Sequence, residues 1–372
     1  MYSLRINDVD DKSYCRCGSL NLGSLNVNIP IKTLNPSEFR ALKSLSLPIP
    51  KTILVKTIHL NPIDLSVLAR KGKVYKNKVR SFNALSRQAR ADGGEFLLVP
   101  HLNKKTFKSI ETKVDFVIGA LTDLQIDSNS SAIVIPDYWK YTSNDYKQYF
   151  RQWSRKTGQL GKPTLATLLP SEKESRIKKR LEEILPTVDG VLVNMSGDVN
   201  HTKFATTFNL LLKERGRTER IWIHGYESPN RVSDMLCAEQ IVLPLVGSDS
   251  MSLRESHQLP PKVREKLALK NVPRCYDSST NGILNKEEYV QHHHGWECRE
   301  HVFCQKETLD SIYAESTKLR GHNILGQIIM VGNMFDWVGE RNVLKEMKDR
   351  MFSKEFVQRN TLLEGGLRRW AG

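Results

Sequence analysis

Nowhere does the chain carry the uninterrupted run of about 18 apolar residues that a membrane-spanning helix needs. Its opening residues, MYSLRINDVDDK, lack a secretory apolar core. Neither membrane insertion nor export is expected, and the chain should stay in the cytosol. Acidic residues are in deficit, with 41 Asp and Glu against 56 Lys and Arg, a formal net charge of +15. The excess cations are spread along the chain, which points to a polyanionic partner. Nucleic acid is favoured over a membrane surface because no basic amphipathic helix stands out, and a merely basic surface is the plain alternative. Cysteine is scarce: six in 372 residues, with no leader, do not make a disulfide scaffold. Metal ligands or buried thiols are the expected uses. No Gly-rich phosphate loop of the GxGxxG or GxxxxGK type occurs, which argues against an open nucleotide-binding sheet.

What is present is alternation. Cys15 to Leu34 alternates apolar and polar residues across Gly-Ser turn signals, the pattern of a hairpin (12–30) leading into a strand. Asn35-Pro36-Ser37-Glu38 then opens a helix, with proline and an acidic residue in its first turn. Buried-strand patterns follow at Thr52 to Leu60, Phe96 to Val99, Phe116 to Leu121, Ala132 to Pro136, Thr164 to Leu169, Gly190 to Met195, Ile221 to His224 and Ile241 to Val246. Most are separated by segments of helical period. The alternation predicts a (β/α)8 TIM-type barrel over residues 1–250. From 251 the texture turns polar and rich in His, Pro and Lys. Residues 251–372 are expected to form a zinc-binding helical subdomain, docked on the barrel by the apolar helix Ile324 to Met334.

Several residues carry chemistry. The run Ile241 to Val246 ends in Gly247-Ser248-Asp249-Ser250, and catalytic side chains of parallel barrels stand at C-terminal strand ends, so Asp249 is the first candidate. In Asp92-Gly93-Gly94-Glu95 two adjacent glycines beside a carboxylate let backbone approach a flat ligand closely; a plain turn is the alternative. Asp137 ends the strand AIVIP, as a ligand-reading carboxylate or a helix cap. Lys71 to Arg90 is heavily basic with Tyr75 and Phe82 interleaved, which suits phosphates beside stacked bases, although a solvated lysine-rich loop explains it nearly as well. Cys298-x2-His301-x2-Cys304 followed by His322 suits tetrahedral zinc, with Cys275 and His292-His293-His294 as competing ligands. Such a metal would supply folding free energy to a segment with little core. Cys15 and Cys17, one residue apart, read as structural thiols.

The order of these features resembles the tRNA-guanine transglycosylase superfamily, and the basic, compact form resembles its DNA-modifying 7-deazaguanine branch. Thr57-Ile58-His59-Leu60 is similar to that family's NTYHL segment, and Asp92-Gly93-Gly94 with Phe96 to its DSGGFQ motif, without the serine and with Glu95 inserted. Val134 to Asp137 resembles the strand ending in the base-reading aspartate. Ile223-His224-Gly225-Tyr226-Glu227-Ser228-Pro229 resembles the GVGxP loop, Gly247-Ser248-Asp249 the start of GVDMFD, and His322-Asn323 the pair closing the zinc site. A family glutamine would fall near Leu168, where none exists, and His301 would replace the middle zinc cysteine.

The resemblance implies exchange of guanine in DNA for a 7-deazaguanine such as preQ0, in a bacterial cell or phage-infected host, with helper proteins opening the DNA. It implies Asp249 as nucleophile, Asp92 as acid and base with Glu95 in reserve, Asp137, Gly93, Gly94, His224 and Gly225 as base contacts, and structural zinc. Exchange with retention needs two displacements through a covalent glycosyl-enzyme. The same chemistry on tRNA, or a noncatalytic nucleic-acid-binding barrel, are the other readings.

Overall fold

The structure, a computed structural model, describes residues 2–10, 15–102, 114–136, 143–170, 173–195, 207, 210–211, 220–228, 243–244, 247–255, 273–279, 282–293, 296, 298, 303–340 and 343. Asp137, His301, His294 and both ends of the run Ile241 to Val246 (241–242 and 245–246) lie outside the described residues, as does the side chain of His292.

The chain opens with an antiparallel sheet of β1 (Tyr2–Val9), β2 (Arg16–Leu22) and β3 (Leu25–Ile29). The β2–β3 hairpin matches the alternation in the sequence, and β1 adds a third strand that was not expected. Gly23 supplies the positive φ of the connecting turn. A parallel six-stranded sheet follows in the order β4 (Ile31–Lys32), β11 (Ser250–Leu253), β10 (Trp222–Ser228), β9 (Gly190–Asn194), β8 (Thr164–Leu168), β7 (Ile133–Ile135). A parallel pair, β5 (Ile53–Leu60) and β6 (Glu95–Leu102), stands beside it. Leu34, just past β4, forms a parallel bridge with Leu54 of β5. Ser131, just before β7, donates its N–H to the Phe96 carbonyl of β6 at 2.8 Å.

The described helices between these strands are α1 (Pro36–Ser44), α2 (Pro62–Ala69), α3 (Lys73–Ala91), α4 (Val114–Asp127), α5 (Ser143–Thr157) and α6 (Glu174–Ile184). Asn35 starts α1 as the sequence suggests. Its side chain accepts from the N–H groups of Ser37 and Glu38, and Glu38 reaches back to the Asn35 N–H. Phe116 to Leu121, expected as a strand, lies within α4. Its buried residues Val117, Ile118, Leu121 and Leu124 recur at helical spacing, while Phe116 is 41% exposed.

The parallel strands are apolar on both faces, which is why they read as continuous runs. Leu54, Phe96, Leu98, Ile133, Ile135, Val191, Val193 and Ile223 belong to a cluster shared with the helices. Their alternates Ile53, Val55, Leu97, Val99, Val134, Leu192, Trp222 and Tyr226 pack instead with Leu20, Leu22, Leu25, Val27 and Ile29 of the antiparallel sheet. That sheet covers the N-terminal end of the parallel strands. Tyr2 Oη donates to the Asp189 carbonyl at 2.5 Å, immediately before β9, and Ser24 donates to Glu95 at the first position of β6.

The parallel sheet runs past residue 250, where the domain boundary was expected, because β11 is one of its strands. Leu243 and Pro244, inside the run read as that last strand, lie instead in a short 3-10 turn. Further on are the antiparallel pair β12 (Cys275–Asp277) and β13 (Gly282–Leu284), then α7 (Lys286–His292), α8 (Leu309–Ala314) and α9 (Ser316–Gly339). Helix α9 spans the expected docking segment and packs against α1, β2, β4 and β12. It approaches β12 closely: a Cβ at Gly326 would collide with the Tyr276 ring. Among the described residues no helix is long and apolar enough to cross a membrane.

Candidate active site and metal centre

Asp249, Asp92 and Glu95 stand at the N-terminal end of the parallel strands, away from the end where such sheets usually bind ligands. Asp249 immediately precedes β11 and is fully buried. Arg16 of β2 grips it at both oxygens: Nε donates to Oδ1 at 2.7 Å and Nη2 to Oδ2. The Ile223 N–H donates to Oδ2 at 2.7 Å, and Arg16 Nη2 also reaches the Ile221 carbonyl at 3.0 Å. Burial pushes the Asp249 carboxyl up, while Arg16 and the Ile223 N–H pull it back. With both oxygens committed and no exposed surface, this group works as a clamp between the first sheet and the last strand.

Asp92 is the C-cap of α3 and pairs with Lys43 at 3.1 Å. Gly93 has φ +75, and a Cβ at Gly94 would strike the Thr52 carbonyl, so these glycines make the tight entry into β6. Glu95 begins β6, 3% exposed, and accepts from Ser24, Ser131 and Arg90, the last at 3.0 Å. Burial raises its pKa, but these donors outweigh that and leave the carboxyl below its ordinary value. The plain-turn reading of this stretch therefore describes its geometry. In the basic stretch, α3 is a helix whose Tyr75 and Phe82, each 5% exposed, pack in the core and offer no stacking face.

His224 faces the interior beneath the strand ends, with no exposed surface. Its Nδ1 lies 2.8 Å from Ser250 Oγ and its Nε2 3.3 Å from Ser252 Oγ. Burial pushes its pKa down to about 3, so the imidazole is neutral. Gly225 points the other way, packing against Leu243.

The C-terminal strand ends gather a different set. Parallel register places His59 of β5 opposite His101 of β6, and their rings meet edge to face with centroids 5.0 Å apart. Asn194, the last residue of β9, is fully buried and sets its Nδ2 3.0 Å from His101 Nδ1. Glu227, near the end of β10, lies in the left-handed region at φ +59, a conformation costing a non-glycine residue roughly 1–3 kcal/mol. This turns its side chain toward β5, where Oε2 stands 3.5 Å from His59 Nε2 and 3.6 Å from Arg254 Nε. The residue is 3% exposed, and Oε2 has no hydrogen-bond partner of ordinary geometry among the described residues. Burial raises the Glu227 pKa, but His59, Thr57 and Arg254 more than offset this and leave it below the ordinary value. A strained, buried carboxylate facing an imidazole and a guanidinium, with His101 beside His59, has the features of a candidate reactive site. Its signal lay in the sequence: KTIHL and LVPHL, ending β5 and β6, both place histidine on the inner face at the strand end.

Near β12, the ligand atoms of Cys298, Cys304 and His322 lie within 4.8 Å of one another and could hold a metal ion. His322 Nδ1 is 3.3 Å from Cys304 Sγ, while Nε2 lies 2.7 Å from the Tyr276 carbonyl and donates to it. That bond fixes the tautomer that turns the Nδ1 lone pair toward the cysteines. Asn323 braces the same strand, accepting from the Tyr276 N–H at 2.6 Å and donating to the Arg274 carbonyl at 3.0 Å. Trp296 Nε1 donates to the Cys304 carbonyl at 2.9 Å. Cys275 is fully buried, and its Sγ lies 3.6 Å from the Tyr276 carbonyl to which His322 also bonds. Cys15 and Cys17 are buried in the first sheet, as structural thiols would be. Comparison with models of known protein families and with curated proteins finds no match for this chain.

Proposed function

We propose that this chain is a (β/α)8-barrel transglycosylase that exchanges guanine in DNA for a 7-deazaguanine base. The reacting carboxylate is Glu227 rather than Asp249. The observation that carries the reading is Glu227 itself, buried, strained and aimed at His59 from a C-terminal strand end. The barrel reading rests on the Leu34–Leu54 bridge and the Ser131–Phe96 bond, which link β5 and β6 to the two edges of the six-stranded sheet. The net charge of +15 suits a polyanionic substrate.

The chemistry balances over residues at the strand ends. Glu227 Oε2 attacks the sugar C1′ as the C1′–N9 bond breaks, its electron pair going to the departing guanine. His59 delivers the proton that guanine needs. The incoming base then gives its ring N–H proton to His59, bonds to C1′ and displaces Glu227, so two inversions give net retention. A lowered carboxyl pKa suits a group that must be ionised when it attacks. The metal centre is read as structural zinc held by Cys275, Cys298, Cys304 and His322, a Cys3His set that ties β12 to α9.

The test is incorporation of labelled guanine into duplex DNA and into tRNA, with mass spectrometry of the denatured protein for a sugar adduct. Glu227→Gln should lower exchange by about a thousandfold or more and abolish the adduct, while folded Asp249→Asn should keep both. Full-speed exchange by Glu227→Gln would overturn the reading. Labelling of tRNA alone would transfer the chemistry to RNA. No exchange and no adduct on either would favour a noncatalytic nucleic-acid-binding barrel.

A further inference from the structure

We infer that the outward face of α3 is a binding surface for a phosphodiester backbone, with Lys73, Lys76, Arg80 and Arg87 each holding a phosphate away from the strand-end site. The inference goes beyond the base-exchange reading and does not depend on it.

The sequence of α3 carries the first support. Its charged residues are Lys73, Lys76, Lys78, Arg80, Arg87 and Arg90, with no Asp or Glu among them. A merely solvated helix mixes signs, as α6 does by setting Glu174, Glu182 and Glu183 among its cations. In α3, Lys76 and Arg80 are instead like charges one turn apart, and Lys73 and Lys76 stand at the positive end of the helix dipole. Local electrostatics therefore works against this helix, and a rule broken without local compensation marks a functional surface.

Geometry gives the second support. At about 100° per residue, Lys73, Lys76, Arg80 and Arg87 fall within roughly 60° of arc, on the side away from buried Tyr75, Phe82 and Ala89. All four are exposed, and among the described residues none of their side chains meets a carboxylate. Their neighbours Lys71 and Arg90 are by contrast engaged, with Asp123 at 2.8 Å and Glu95 at 3.0 Å. At ~1.5 Å per residue the stripe runs about 21 Å, the rise of roughly six nucleotides of one strand at ~3.4 Å each. The apolar face that a bilayer-bound helix would insert is already in the core, which favours a phosphate backbone over a lipid surface. Helix α3 ends just before Glu95 opens β6, so the stripe descends the outside of the sheet toward the end opposite Glu227.

The probe is a dA·dT duplex, which contains no guanine to exchange. Fluorescence anisotropy with the full chain should show log affinity falling linearly with log salt concentration. Replacing the four cations together (Lys73→Gln, Lys76→Gln, Arg80→Gln, Arg87→Gln) should make that slope shallower by about 3 to 4 and weaken binding in roughly 0.1 M salt by at least about tenfold. Losing like-charge repulsion at exposed positions should leave the melting temperature level or higher. A control with the same loss of charge elsewhere (Lys156→Gln, Lys173→Gln, Lys178→Gln, Lys179→Gln) should change the slope by less than about 1. Unchanged binding by the α3 variant, an equal loss in the control, or retention of the wild type on phosphatidylserine vesicles in place of the duplex would overturn the inference. Duplex binding through α3 with no base exchange on guanine-containing DNA would instead overturn the exchange reading and leave this one standing.

Discussion

Replacing Arg16 by methionine tests the assignment of Asp249 to architecture. The change removes both contacts to a carboxylate with no exposed surface and empties the position beside the Ile221 carbonyl. Breaking one side of a buried pair typically costs ~3–5 kcal/mol, because the surviving charge is left in a low-dielectric site. Asp249 has one escape, which is to take up a proton. At pH 7, against an ordinary carboxyl pKa of 3.8, that costs about 4 kcal/mol and sets a ceiling of the same size. At pH 5 the ceiling drops to about 2 kcal/mol. Urea unfolding of Arg16→Met should therefore show a loss of ~3–4 kcal/mol at pH 7 that falls to about 2 kcal/mol or less at pH 5. Adding Asp249→Leu should recover most of the loss, since no buried charge then remains. A cost below about 1 kcal/mol at pH 7, or a double variant as unstable as the two singles combined, would refute the clamp.

Two further outcomes follow from the same geometry. Prolonged chelation, or Cys304→Ala, should remove about one zinc per chain by elemental analysis and lower the melting temperature; metal content unaffected by Cys275→Ala would remove that residue from the ligand set. His224 is neutral when folded, with a pKa near 3 against an ordinary 6.5, so stability present above pH 6.5 is lost as pH falls toward 3. The full effect is on the order of 5 kcal/mol, and His224→Gln should flatten the unfolding free energy between pH 6.5 and 4.5, above the carboxylate window; an unchanged slope there would refute it.

Elements whose shape is set locally were legible in the sequence. The Asn35 capping box, the β2–β3 hairpin and the apolar runs of β5, β6, β8 and β9 announce themselves through neighbours within a few residues. Cys298, Cys304 and His322, whose ligand atoms come together, were legible by residue type and spacing, whereas Cys275 entered only as a competing ligand and His301 lies outside the described residues. Phe116 to Leu121 misled because a short apolar run fits a buried strand as well as a helix. Asp249 misled for a different reason: which end of a strand a residue occupies depends on pairing with distant strands. His224 pairs with Ser250, so β11 starts where the sequence suggested it stopped. The quoted GVDMFD pattern also carries two aspartates, and the second falls on Ser252, which here bonds to His224. Glu227 was passed over because nothing in the residues around it signals a left-handed backbone in a strand, whereas the matched histidines of β5 and β6 were open to view.

The Arg16–Asp249 clamp joins residues 233 positions apart. On a ribosome adding roughly 5–20 residues per second, the guanidinium waits on the order of 10 to 50 s for its counter-charge to be synthesised. Nascent chains, and any product truncated before residue 249, must hold that cation in water or against a chaperone. Emergence of Asp249 from the ribosome is thus the event that lets Arg16 find its partner and the first sheet seat against the last strand.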